Sequence, residues 1–128
     1  MSNSPDKSNA PAVTLRRWRV IEIVTRSGAR SRHLLGHDIT NDEDRVSSAI
    51  ADFRLETMTA TTSSGVRYRL GGVPGNSRRM QAMWDDWVRA NGVISQHDVT
   101  NDYMDPDDVS TRQFAALHLT AFMGKPPQ

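Results

Sequence analysis

Cysteine is absent from the 128-residue chain, which rules out disulfides, thiolate zinc sites, iron–sulfur clusters and cysteine nucleophiles together. No apolar stretch approaches the roughly 18 residues of a membrane-spanning helix, so no membrane partner is expected. Lysine is almost missing: 14 of the 16 basic residues are arginine. The net charge is only +1, which argues against a general polyanion binder. Catalytic signatures are lacking too. No serine lies in G-x-S-x-G, and His33, His37, His97 and His118 show no triad spacing. The Gly71–Gly75 loop has no following G-K-[ST], so it is not a P-loop. Enzymatic activity is left open with the balance against it, and no cofactor is indicated.

What is present reads as one small α+β domain. Residues 1–13 are Ser/Asn/Pro-rich without a hydrophobic segment, which reads as a flexible tail rather than a signal peptide and makes the cytoplasm the expected location. Residues 14–123 form the domain, and 124–128 a second tail. The mean hydropathy of −0.59 is polar, but the aromatic and branched residues cluster locally, as a folded core requires.

The fold class expected is an antiparallel sheet of two related β-hairpins, four to five strands in all, packed against one or two helices. Arg17–Asp38 is rich in β-branched and aromatic residues and turns at Ser27-Gly28; Leu55–Leu70 turns at Ser64-Gly65. In each, glycine supplies the positive φ of a three-residue hairpin loop. Thr25–Arg32 and Thr62–Arg69 share the pattern T-x-S-G-x-R-x-R, which fits either a duplicated hairpin or convergent turn chemistry. Pairing the second hairpin about its loop sets Tyr68 opposite Ala60 and Leu70 opposite Met58. One face then carries Met58, Ala60, Val66, Tyr68 and Leu70, the other Thr57, Thr59, Thr61, Arg67 and Arg69. The first hairpin is apolar on both faces, which implies cover on both sides. Val46–Phe53 is a candidate further strand.

Asn76 or Ser77 can cap a helix that runs to Asn91, with Gly92 in the C′ position. Met80, Met83, Trp84, Trp87 and Val88 form its apolar stripe, expected on the core face of the sheet, with Asp85 and Arg89 paired opposite. Val93–Asp108 reads as an acidic connection. Ser110-x-x-Gln113 reads as a capping box for a C-terminal helix to Phe122.

Three features suggest function. Arg30, Arg32, Arg67 and Arg69 lie just past the two turns, with Arg17 and Arg19 ahead of the first. Such a face suits nucleic-acid phosphates or an acidic protein surface, and Tyr68 or Trp18 would stack bases if turned outward. The plain reading is a solvated face with pairs such as Glu22–Arg32. Secondly, His37-Asp38-Ile39-Thr40-Asn41-Asp42 recurs as His97-Asp98-Val99-Thr100-Asn101-Asp102. His37, Asp38, His97 and Asp98 are weak metal candidates, since neither copy has zinc-finger, H-E-x-x-H or EF-hand spacing; turn and cap chemistry is the simpler reading. Thirdly, the glycine loop leading to Arg78-Arg79 is an anion-site candidate, or else a turn and cap.

The run His33–Ile50 (HLLGHDITNDEDRVSSAI) together with T-x-S-G-x-R-Y-R-L at Thr62–Leu70 resembles small uncharacterised proteins of proteobacterial prophages and mobile elements. The resemblance implies an accessory regulator or inhibitor and carries over no functional residue. The first functional expectation is therefore a non-enzymatic binding protein using the Arg-bearing face. The alternatives are a metal-dependent or hydrolytic enzyme built on the H-D-x-T-N-D loops, and a homo-oligomer, a homodimer for instance, using an apolar patch around Trp18 and Val20.

Overall fold

The computed structural model describes residues 11–104. Its elements in chain order are β1 (Val13–Thr25), β2 (Arg30–Asp38), β3 (Glu43–Arg54), β4 (Thr59–Thr62), β5 (Arg67–Leu70), helix α1 (Arg78–Ala90), β6 (Val93–Asp98) and a 3-10 turn, Thr100–Tyr103. The fold is α+β, a six-stranded sheet packed against a helix. The C-terminal helix expected at Ser110–Phe122 lies outside the described residues. No described helix is long and apolar enough to cross a membrane.

Both hairpins form around their glycines. In the first, the Thr25 amide donates to Ala29 O and the Gly28 amide to Thr25 O; in the second, Thr62 and Val66, Gly65 and Thr62 repeat both bonds. Gly28 and Gly65 have φ of 88° and 89°, a region that favours residues without Cβ. Even the side chains agree, with Thr25 Oγ1 2.9 Å from Ser27 Oγ and Thr62 Oγ1 3.2 Å from Ser64 Oγ. T-x-S-G is thus one turn module used twice.

The sheet is not the simple antiparallel one expected. β1 to β5 pair in sequence, and Val13–Leu15 then pairs in parallel with Tyr68–Leu70, closing a five-stranded barrel. Closure depends on β1 leaving β5 partway along. Between Arg16 and Arg19 its register with β2 shifts, and Arg17 adopts φ 52°, the signature of a β-bulge. Gly36 faces this bulge, where a Cβ would sit 3.2 Å from the Trp18 Cα. Beyond the bulge, Ile21–Thr25 pairs with β6. The segment Val93–Asp108, read as a connection, therefore begins with a strand and a 3-10 turn.

The bulge gives β1 two apolar faces. Val13, Leu15, Trp18 and Val20 point into the barrel with Leu34, Ala60, Tyr68, Leu70, Tyr103 and Met104. Ile21 and Ile23 point the other way, onto Leu35, Met80 and Trp84. Helix α1 thus covers the outer face of β1–β3, not the face bearing Tyr68 and Leu70, which corrects the expected packing. Its boundaries follow the chain signals: Ser77 Oγ caps the Met80 amide, Asn91 is the C-cap, and Gly92 has φ 64°. Trp84 and Trp87 stack at 5.1 Å, and His33 meets Trp87 at 4.7 Å. Arg89 pairs with Asp86 rather than Asp85, which accepts from Gln81 instead. Trp18 and Val20 are buried at 1% and 0% exposure, so the apolar patch proposed around them as an oligomer surface does not exist.

Candidate functional site

The six arginines singled out by spacing do not form one surface. Along β2, Arg30 and Arg32 lie on the same face as barrel-facing Leu34; along β5, Arg67 and Arg69 alternate with barrel-facing Tyr68 and Leu70. Matching positions in the two hairpins therefore point to different sides of their strands. Arg30 and Arg32 both meet Glu22 at 3.1 Å, and Arg32 also reaches Asp102 at 3.3 Å and the Tyr103 hydroxyl at 3.4 Å. The Arg32 hydrogen bond holds the Glu22 carboxyl below its ordinary pKa, with Arg30 adding to it. Arg19 pairs with Asp98 at 2.9 Å. These three guanidiniums serve the fold. Tyr68 and Trp18 face inward, so neither offers a stacking surface.

Arg67 and Arg69 line the outer wall of β3–β5, where the strand registers build a row that spacing alone did not reveal. Arg54 lies opposite Thr59, Thr59 opposite Arg69, and Arg69 beside Thr14. The next row is Asp52, Thr61 and Arg67. With strands about 4.8 Å apart, Arg54 and Arg69 are separated by roughly 10 Å of sheet. Pro11, Asp52, Arg54, Thr57, Thr59, Arg67 and Arg69 enclose a groove of about 450 Å³. Arg54 contacts Asp52 only at 4.0 Å, with both side chains largely exposed. Arg54 was missed because its register on β3 depends on irregular pairing, the Ile50/Asp52 shift against β4.

The repeated H-D-x-T-N-D loops are clamps on β1. In the first copy the Ile39 amide donates to Thr14 O, and the Thr14 amide donates to Thr40 Oγ1 at 3.2 Å. In the second, the Val99 amide donates to Val20 O and the Val20 amide to Thr100 Oγ1 at 3.0 Å. The aspartates shape each turn: Asp38 Oδ1 accepts the Thr40 and Asn41 amides, and Asp98 Oδ1 accepts the Thr100 amide. An arginine neutralises each, Arg45 on Asp38 and Arg19 on Asp98. Burial works against the Asp38 charge, yet the bonds from Asn41, Arg45 and Thr40 hold its pKa below the ordinary value. The two clamp points lie six residues apart on one strand, roughly 20 Å. Among the described residues no three His, Asp or Glu side chains are grouped to hold a metal. The four-ligand site imagined from His37, Asp38, His97 and Asp98 is thus not assembled.

The two histidines of β2 sit in opposite electrostatic settings. His37 Nδ1 lies 2.9 Å from Asp44 Oδ1 and Nε2 3.1 Å from Asp42 Oδ1. Carboxylates only accept, so both ring nitrogens donate and the imidazolium is favoured; Asp44 first, then Asp42, raises the His37 pKa. His33 is buried, which lowers its pKa. Its Nδ1 donates to Ser47 O at 2.9 Å, leaving Nε2 to accept from Ser31 Oγ at 2.7 Å.

A second recess lies where the β1 bulge meets helix α1. Arg16, Arg17, His37, Asp44, Ser77, Arg79 and Met80 line a cleft of about 410 Å³. No protein-family model, curated protein or solved structure matches the chain.

Proposed function

We propose that this is a non-enzymatic binding protein that holds duplex nucleic acid by its phosphate backbone in the Arg54–Arg67–Arg69 groove. The observation that carries this reading is the Arg54–Thr59–Arg69 row, which sets two guanidinium-bearing positions two strands apart on one outer wall. Arginine is an ordinary phosphate-contacting residue, and such contacts position a protein on a duplex without reading its sequence. Trp18 and Tyr68 turn inward, so neither offers the stacking that single-strand binders use, which favours a duplex. The groove cations are spread along the sheet rather than converged on a point, as suits a polymer. Because the net charge is only +1, binding would rest on the groove's local cations and be salt-sensitive. We further infer a cytoplasmic accessory role, as a regulator or inhibitor.

Fluorescence anisotropy with a labelled short duplex and the matching single strand tests this. The duplex is expected to bind at low salt and no more weakly than the single strand, and Arg54→Gln with Arg69→Gln to weaken it irrespective of sequence. No duplex binding at about 50 mM salt would transfer the groove to an acidic protein partner.

A further inference from the structure

We propose that the cleft between the β1 bulge and helix α1 is a separate site for the phosphate group of a small molecule. Three arginines line it from two elements: Arg16 and Arg17 from β1, and Arg79 from α1. Arg16 and Arg17 are exposed, and among the described residues neither side chain has a hydrogen-bond or ion-pair partner. Arg79 touches Asp44 only at 3.9 Å, with its side chain 91% exposed. Four other strand arginines, Arg19, Arg30, Arg32 and Arg45, are each paired with a carboxylate. Here two adjacent arginine side chains have no ion-pair partner among the described residues.

The backbone explains why they meet. A regular strand would send Arg16 and Arg17 to opposite faces. The bulge, with Arg17 at φ 52°, turns Arg17 onto the cleft beside Arg16, and the Gly75 amide holds the helix-bearing loop to Trp18 O at 3.4 Å. Gly75 leaves room for this: a Cβ there would contact the Arg17 Cβ at 3.4 Å. The carboxylate in the cleft, Asp44, is engaged by His37 at 2.9 Å, an imidazole that also meets Asp42 at 3.1 Å. Three arginines, each able to bind in bidentate fashion, around one recess suit a compact, multiply charged anion such as a phosphomonoester or diphosphate. The β3–β5 groove differs, because its cations are strung along a wall.

Isothermal titration of the full chain with inorganic pyrophosphate tests the site. Saturable binding is expected, weakened about tenfold or more by Arg16→Gln and by Arg79→Gln, the loss of one charge-assisted hydrogen bond. Arg69→Gln, in the groove, is expected to bind pyrophosphate as the parent chain does, so this site and the nucleic-acid groove stand or fall separately. Both cleft residues are surface-exposed, and either variant alone decides the matter should the other fail to fold. No saturable binding up to about 10 mM pyrophosphate, equal affinity in all variants, or loss only in Arg69→Gln would overturn the assignment.

Discussion

Thr100 Oγ1 accepts the Val20 amide at 3.0 Å while the residue before it, Val99, donates its own amide to Val20 O. Val20 is therefore hydrogen-bonded through both backbone groups to a four-residue turn rather than to a strand. The same reciprocal arrangement ties Ile39 and Thr40 to Thr14. Two copies of one hexapeptide thus end a strand and grip the same neighbouring strand at separate points.

The clamps differ in burial, which sets the expected cost of breaking each. Thr100 is buried and Thr40 exposed. Thr100→Val keeps the shape but strands the buried Val20 amide, a loss of about 1–3 kcal/mol. At Thr14 water can replace the hydroxyl, so Thr40→Val should cost well under half as much. Urea melts of the two variants check this, and equal losses would show that burial does not govern the clamps.

Truncation of the helix stripe should be more severe. Trp84 is buried among Ile21, Ile23, Leu35 and Met80, and its Nε1 donates to Gln96 Oε1 at 2.7 Å. Trp84→Ala should lower stability by about 3–5 kcal/mol. Trp87 is only partly buried and stacks on Trp84 and His33, so Trp87→Ala should cost less. Chemical denaturation ranks them, and a reversed order would contradict the placement of α1.

The histidines should give stability a maximum near the ordinary imidazole pKa of about 6.5. His37 is raised in the folded state by Asp44 and Asp42. Its contribution is therefore full below that pKa and lost as pH rises through the higher folded value. His33 is lowered by burial; its neutral form is the native one, so stability falls as pH drops below the ordinary value toward the folded one. Proton NMR titration should show His37 titrating above about 6.5 and His33 below it. His37→Gln should flatten the alkaline limb only.

Metal should have no effect on the clamps. Asp38 and Asp98 already accept turn amides and an arginine each, which leaves them poorly placed as ligands. The melting temperature is expected to be unchanged by Zn²⁺, Mn²⁺ or Ni²⁺ and by chelator. A saturable rise abolished by His37→Ala would contradict that.

The local devices were readable from residues. T-x-S-G announces both hairpin turns, Ser77 and Gly92 bracket the helix, and alternation about the second loop places Ala60 opposite Tyr68, as observed. The long-range features were not. Barrel closure rests on Val13–Leu15 meeting Tyr68–Leu70, and Val13 abuts a polar tail that hides it. β6 has apolar residues only at Val93 and Ile94 and pairs along one edge, so it lacks an alternating pattern. The arginine faces were ambiguous because Leu34 and Leu35 are both buried, against opposite cores. Spacing alone could not say which one Arg32 accompanies.

The groove on β3–β5 is tested most directly by the salt dependence of duplex binding. Each backbone phosphate neutralised contributes about 0.9 to the slope of log affinity against log salt. Replacing Arg67 and Arg69 with glutamine should weaken binding for all sequences alike and reduce that slope by roughly two. Arg30→Gln, at a guanidinium engaged by Glu22, should leave the slope unchanged. A slope that stays the same in the Arg67/Arg69 double variant, or falls with Arg30→Gln instead, would contradict the groove as the nucleic-acid surface.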